Sequence, residues 1–410
     1  MKGDGEAGGE RRGKAVPQER PEASEPGSTA AGLPDLLYGE TETELRAAVR
    51  ALLEDRCGWR EVLARTESPQ AYDPGLWQVL AAELGCAGLL IPEGSGGAGA
   101  SYREAAVVAE ETGRAVAPVP FLGSAVVATA ALLATGDDEL LTAVANGATT
   151  AALAVPFAAA PGPRPEPTVR LGVPAPDPED GDPGYRLTGT VTGVADALPA
   201  DVLIVPAAGV PYAVWAADVA ITPVVSLDMT RQLADLTLDN VPGRRVATAG
   251  AAQQAVAAAL TAGAAMHAAE QLGTAERCLE ITVAYLKERR QFARPIGSFQ
   301  ALKHRAADLW VGVTQARAAA RYAAACLATE DPDAPVAVAL AKAACSDIAV
   351  RTAQECVQLH GGIGFTWEHP AHLYLKRAKS SSIGFGTPSG HRASLARLVD
   401  LPAPPAGVLG

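Results

Sequence analysis

The sequence predicts an α+β chain in which helices, then short antiparallel strands, then a helical bundle follow one another. Three observations carry this prediction. Residues 251–290 contain no proline and are rich in alanine, which favours one long helix. Between 185 and 241, short runs of β-type residues are separated by glycine, proline and aspartate, the pattern of a small antiparallel sandwich or barrel. Ahead of both, Leu45, Val49, Leu52 and Leu53 recur at helical spacing behind a Thr41/Glu44 capping box.

The elements are expected in this order. Residues 1–36 mix charge of both signs with many glycines and prolines, and no aromatic precedes Tyr38. Such a leader cannot bury enough apolar surface to offset its ordering entropy, so it is expected to be disordered. Asp4, Glu6 and Glu10 argue against a transit peptide, and no apolar signal core follows them. A helical domain is expected over 37–148. Within it, LGCAGLLIPEGSGGAGAS (84–101) ends an apolar run at Pro92, turns through glycines, and opens a new helix with Ser101 and Glu104. The GGAG turn lacks a strand–GxGxxG–helix order and a P-loop lysine, so it reads as a connector. The β domain is expected over 149–248, with strands near 185–194, 201–207, 211–216, 220–227 and 235–241. The bundle is expected over 249–400, with further helices near 300–328, 334–360, 371–380 and 389–399, then a tail at 401–410.

The net charge of −12 argues against nucleic acid as a partner. Residues 251–410 nevertheless hold 16 Lys+Arg against 12 Asp+Glu, leaving 18 against 34 elsewhere. That local surplus suits a bound anion such as a pyrophosphate, or simply solvated helix faces. No run approaches the roughly 20 apolar residues that span a bilayer, so no membrane insertion and a cytoplasmic location are expected. The cysteines at 57, 86, 278, 326, 345 and 356 form no C-x-x-C pair and are expected to be buried free thiols. His369 and His372 lack further ligands at workable spacing, so no metal site is expected.

Two motifs carry chemistry. In YLKERRQFARPIGSFQALKHRAADL (285–309) a helix ends in Lys287, Arg289, Arg290 and Arg294, and Pro295 breaks it. Guanidinium groups there can fork onto phosphate oxygens, or the cluster is a solvated helix end. In CVQLHGGIGFTWEHPAHLYLKRAKS (356–380), the turn from His360 to Phe365 lets backbone approach a ligand closely, or is a glycine C-cap.

With both motifs in this order, the chain resembles the acyl-CoA dehydrogenase family over roughly residues 40–400. The resemblance implies a flavoenzyme that desaturates an acyl-CoA between Cα and Cβ. A carboxylate removes the α proton while hydride passes from Cβ to flavin N5, and thioester hydrogen bonds stabilise the developing enolate charge. It also implies that Arg289, Gln291, Phe292, Gln300, Gln358, Gly361 and Gly362 bind the dinucleotide end of an FAD held mainly by a neighbouring subunit. Thr387, in the SSSIGFGTPSG loop (380–390), matches a family cofactor contact, and Ala293 stands where glycine is usual. The implied ligands are FAD and an acyl-CoA or acyl-carrier substrate.

The departures from the family pattern are equally specific. Phe385 occupies the position of the usual catalytic glutamate, and a phenyl ring cannot take a proton. The alternative family position, on the first long C-terminal helix, falls at Gly263. Glu270 lies two turns further, about 11 Å along the helix, and is the remaining candidate base against a structural role. The segment that should cradle FAD and substrate in cis reads LAVPFAAAPGPRPEP (153–167), and TGVAD (192–196) puts Ala195 where a flavin-covering element has threonine. What the chain would give its own flavin is eroded, and what it would give a neighbour's is kept. This resembles the subunit without a base in heteromeric actinobacterial acyl-CoA dehydrogenases. The alternatives are a self-sufficient homo-oligomer using Glu270, or a non-redox acyl-thioester-binding protein.

Overall fold

In the computed structural model the described residues are Met1 and 35–402, apart from 69, 71, 163–167, 173–174, 177–182 and 248–249. The expected leader and tail therefore lie almost wholly outside the described residues, as does the end of the 153–167 stretch.

Helices come first: α1 (Glu40–Arg56), α2 (Trp59–Thr66), α3 (Pro74–Gln78), α4 (Tyr102–Ala115), α5 (Thr129–Thr135) and α6 (Asp138–Ala145). The first capping box forms two residues earlier than Thr41/Glu44 suggests. Glu42 stands three residues after Gly39 and accepts a hydrogen bond from its N–H at 2.9 Å, so the helix opens there. The Ser101/Glu104 box forms as read, with Glu104 accepting from the Ser101 N–H at 2.8 Å. On α4, buried Glu110 and Glu111 face α1, where Arg46 pairs with Glu110 and Arg50 forks onto Glu111 at 2.6 and 2.8 Å.

The strands follow: β1 (Ala151–Leu153), β2 (Val169–Leu171), β3 (Ala175–Pro176), β4 (Pro183–Ala195), β5 (Val202–Ala207), β6 (Val210–Trp215), β7 (Ala220–Val224) and β8 (Leu233–Arg245). They form one sheet in the order β1-β5-β6-β8-β4-β2, with β7 on β8 and β3 on β4. All pairings are antiparallel except β1 with β5, where Ala151–Leu153 runs alongside Val202–Ile204. This pair is the departure from the expected antiparallel set: β1 enters straight from the helical part, and nearly fifty residues separate it from β5, room enough for a parallel crossover. Alternate residues such as Leu187, Val191, Leu203, Val205, Leu236 and Leu238 fill a separate core on one face of the sheet.

The last part holds α7 (Ala251–Glu288), a two-stranded hairpin of β9 (Arg290–Gln291) and β10 (Arg294–Pro295), then α8 (Gln300–Ala328), α9 (Ala334–His360), α10 (Ala371–Ser381) and α11 (Pro388–Leu398). Small residues let these helices touch. A Cβ on Gly113 of α4 would stand 2.0 Å from the Glu270 carbonyl oxygen of α7, and one on Gly273 would stand 1.8 Å from that of Glu110. All six cysteines are buried and unpaired. No described helix is long and apolar enough to cross a membrane, and no described group of three or more His, Cys, Asp or Glu gathers as a metal site.

Lys342 on α9 is fully buried. Its ammonium donates to Ser346 Oγ at 2.8 Å and to the Ser381 carbonyl at 3.0 Å, and Gln271 Nε2 donates to the same carbonyl at 3.0 Å. Together they cap the end of α10, where the 382–387 loop begins. Burial pushes the Lys342 pKa down from 10.5 to about 7. The unfolded chain then binds the extra proton between these values, so stability rises with pH above about 7 and its burial cost is complete below it. Unfolded thiols ionise from about pH 8.5, which closes the useful window. Between pH 7 and about 8.5 the melting temperature of the native chain should therefore rise more steeply than that of Lys342→Met; parallel profiles would refute this.

Candidate functional site

The two positions that the resemblance gives for a base, 263 and 385, meet in the fold. Gly263 lies on α7, Phe385 follows α10, and a Cβ on Gly263 would stand 2.4 Å from Phe385 Cε1. The Phe385 ring thus fills the space over Gly263, so neither position can present a carboxylate while the ring is there. Phe385 is buried and holds a φ of 53°, an unusual conformation for a bulky residue. It is fixed from both sides: its N–H donates to the Phe157 carbonyl at 2.8 Å, and its carbonyl accepts from His391 Nε2 at 2.7 Å.

Phe157 and His267 complete an aromatic cluster that sequence reading missed. Ring centroids of Phe157 and Phe385 lie 5.5 Å apart edge-on, and those of His267 and Phe385 lie 5.4 Å apart edge-on. Gly384 makes room, since a Cβ there would stand 2.3 Å from Phe157 Cζ. Two signals were available. His267 follows Gly263 by four residues, hence lies on the same helix face, and Phe157 is the one aromatic in the altered cradle segment. Burial, and then the charges of Lys342, Arg231 and Arg377, hold the His267 pKa well below 6.5, so the ring is neutral.

Glu270 is committed elsewhere. Its carboxylate pairs with Arg231 and with Arg377, the latter at 3.0 Å, and all three side chains are buried. Arg377 also donates to Thr230 Oγ1 at 3.0 Å and lies 3.4 Å from Asp228. Arg231 approaches Asp196 at 3.8 Å, and Asp196 accepts from the Gly123 N–H at 3.0 Å. Burial alone would raise the Glu270 carboxyl, but the two guanidinium groups outweigh it and hold it below the usual range. A carboxylate so placed serves as a structural anchor and is a poor proton acceptor, which weighs against it as the base.

The positions expected from the resemblance to cradle and cover a flavin in cis converge as well. Val155, Pro156 and Phe157 of the cradle segment, Ala195, Asp196 and Phe385 line one cavity of about 20 Å³, enough for a water and no more. The residues at this position do not fit a three-ring flavin. A second cleft of about 360 Å³ opens beside it, lined by Val169, Val191, Val256, Leu260, Thr168 and Thr190 among others, with no charged side chain among its described lining. It follows the first turns of α7 and stops one turn short of Gly263.

The remaining candidates gather at the far end of α7. Arg289 caps α7, Gln291 and Phe292 belong to the β9–β10 hairpin that follows, Gln300 opens α8, and Gln358, Gly361 and Gly362 lie at the end of α9; all are exposed. The two motifs adjoin through Tyr285, whose ring centroid lies 4.5 Å from that of His360. His360 is buried, donates from Nδ1 to the Cys356 carbonyl at 2.7 Å, and stacks 4.1 Å from His369. Gly361 has a φ of 62°, and nothing lies within 4 Å of where a Cβ on Gly361 or Gly362 would be, so their backbone is open to a ligand. Guanidinium, amides, an exposed aromatic and bare backbone fit the phosphates and ring of a dinucleotide. Thr387 is not part of this face. Its hydroxyl caps α11, accepting from the Gly390 N–H at 3.2 Å, beside Phe385.

Residues 39–147 match the acyl-CoA dehydrogenase N-terminal domain and residues 253–399 the acyl-CoA dehydrogenase C-terminal domain. The chain belongs to the acyl-CoA dehydrogenase family, a family of flavoproteins of lipid metabolism. It is 39% identical over 354 residues to acyl-CoA dehydrogenase IpdE2 of Mycolicibacterium smegmatis, covering 86% of this chain and 96% of that relative. Among solved structures it is similar to a chain of the ChsE4-ChsE5 complex from Mycobacterium tuberculosis, with a TM-score of 0.77 and 30% identity over 90% of this chain and 100% of that one. It is also similar to a chain of the Tcur3481-Tcur3483 steroid ACAD, with a TM-score of 0.74 and 30% identity over 89% of this chain and 99% of that one.

Two outcomes follow from this geometry. Glu270→Gln leaves two buried guanidinium groups facing an amide and should cost about 3–5 kcal/mol in urea unfolding; a midpoint equal to the native chain's would contradict the network. In the hairpin, Phe292 and Ala293 have φ of 51° and 61°, a two-residue turn that glycine favours at the second place. Ala293→Gly should stabilise the hairpin by up to about 1 kcal/mol, read as slower amide exchange of the Gln291 and Arg294 N–H groups, and faster exchange would be the opposite result.

Proposed function

We propose that this chain is the partner subunit of a heteromeric FAD-dependent acyl-CoA dehydrogenase. A second chain of the family supplies the base, and this chain completes the FAD pocket with Arg289, Gln291, Phe292, Gln300, Gln358, Gly361 and Gly362. The observation that carries this reading is the Phe385 ring seated on Gly263, which leaves neither base position with a carboxylate. The separation of the two regions supports it. Gly263 and Glu288 are 25 residues apart on one helix, about 38 Å, so the exposed face and the chain's own base position stand at opposite ends. A face so placed serves a cofactor seated mainly in another chain. Both 30%-identical structures named above are complexes of two named chains, one of them a steroid ACAD, which supports an unlike partner and a steroid acyl-CoA as substrate class.

In the complex, FAD supplies the hydride acceptor. This chain's contribution is to bind and orient: Arg289 offers a fork to phosphate oxygens, and the open backbone at Gly361 and Gly362 offers N–H donors at close approach. Against the self-sufficient alternative stands Glu270, whose carboxylate is held by two arginines.

Co-expression with a family chain that retains its glutamate should yield a yellow complex that desaturates acyl-CoA, while the lone chain shows no turnover. Arg289→Ala in the complex removes charge-assisted hydrogen bonds and should weaken FAD binding about 10- to 100-fold. Full turnover by the lone chain, or FAD affinity unmoved by Arg289→Ala and Gln358→Ala together, would overturn the reading.

A further inference from the structure

We infer that this chain excludes the flavin ring from its own site with a built plug, and that Phe157 is its keystone rather than Phe385. The inference rests on the family membership and on the heteromeric reading only in its consequence, that a pair of unlike chains holds one flavin and not two.

Phe157 is the residue through which the parts of the closed site are tied together. Its N–H donates to the Gly193 carbonyl at 2.9 Å, where β4 passes the position of the flavin-covering element. Its carbonyl accepts from the Phe385 N–H at 2.8 Å, which binds the 382–387 loop to the sheet. Its ring packs edge-on against Phe385 and lies 5.5 Å from His267, and the Arg231 guanidinium stands 5.4 Å over it. One residue therefore bridges the cradle segment, β4 and the base loop by backbone bonds, while its ring takes the space between them. The cavity left is about 20 Å³, against the several fused rings a flavin would bring. Arg231 is itself held by Glu270, so the plug is braced by the buried charge network and does not rest on packing alone.

This differs from a missing base. Replacing Phe385 alone would leave the Phe157 ring across the site, so Phe385→Glu should not restore activity or ring binding to the lone chain. Relief needs Phe157 as well.

The test uses lumiflavin, the bare ring system without ribityl or dinucleotide, so that the exposed face at the other end of α7 plays no part. The full-length native chain should leave lumiflavin fluorescence unquenched. The Phe157→Ala/Phe385→Ala chain should quench it saturably. In the heteromeric complex the same pair of substitutions should raise bound FAD about twofold, counted by absorbance after denaturation. Thermal unfolding checks that each variant is folded, and Phe157→Val/Phe385→Leu replaces the alanine pair if it is not. Saturable lumiflavin binding by the native chain, two FAD per native pair, or a folded opened variant that binds no ring would each overturn the plug. A complex that fails to assemble, or FAD binding indifferent to Arg289→Ala, strikes the heteromeric reading and leaves the lumiflavin result standing.

Discussion

A buried charge network joins the three parts of this chain, and the rest of the arrangement depends on it. Glu270 of α7 meets Arg231 from the β7–β8 loop and Arg377 from α10; Thr230 and Asp228 take further Arg377 donors, and Asp196 stands 3.8 Å from Arg231. Asp196 in turn holds the Gly123 backbone of the N-terminal part. Each ion has lost its water, so each depends on the others, and removing one leaves an uncompensated charge. The effect is positional. With α7, α10 and the sheet pinned at one point, Gly263 faces the 382–387 loop, and the aromatic cluster has a fixed frame to fill.

Much of the fold was legible in the sequence because its signals are local. The long α7, the Ser101/Glu104 cap and the strand runs follow from alanine content, capping residues and turn residues that act within a few positions. The α1 cap was misplaced by two residues because Gly39 has no side chain to announce it, while Glu42 supplies the bond. The parallel β1–β5 pair was not legible, since its partners are nearly fifty residues apart and register is a tertiary matter. At the site, the loss of a carboxylate at 385 and 263 could be read from residue type alone. That Phe385 lies on Gly263, that Phe157 bridges them, and that Glu270 is claimed by two arginines needed the fold.

The two halves of α7 differ in what surrounds them. Around Gly263, apolar rings fill the interior. Beyond Glu288, Phe292 is 85% exposed on a hairpin whose arginines have no carboxylate partner among the described residues, and Phe365 after α9 is 79% exposed. Exposed aromatics and unpaired cations of this kind gain little for an isolated chain and much for an assembly that covers them. The chain is thus filled around Gly263 and open beyond Glu288.

The backbone at Phe385 carries a consequence for reversal. Its left-handed conformation is strained for any side chain but glycine, and it persists because His391 and Phe157 hold it from both sides. The loop therefore holds a presenting geometry with a phenyl ring on it. A carboxylate placed at 385 would enter a backbone already shaped to present it, yet on the plug inferred above it would have nothing to act on while the Phe157 ring stays in place.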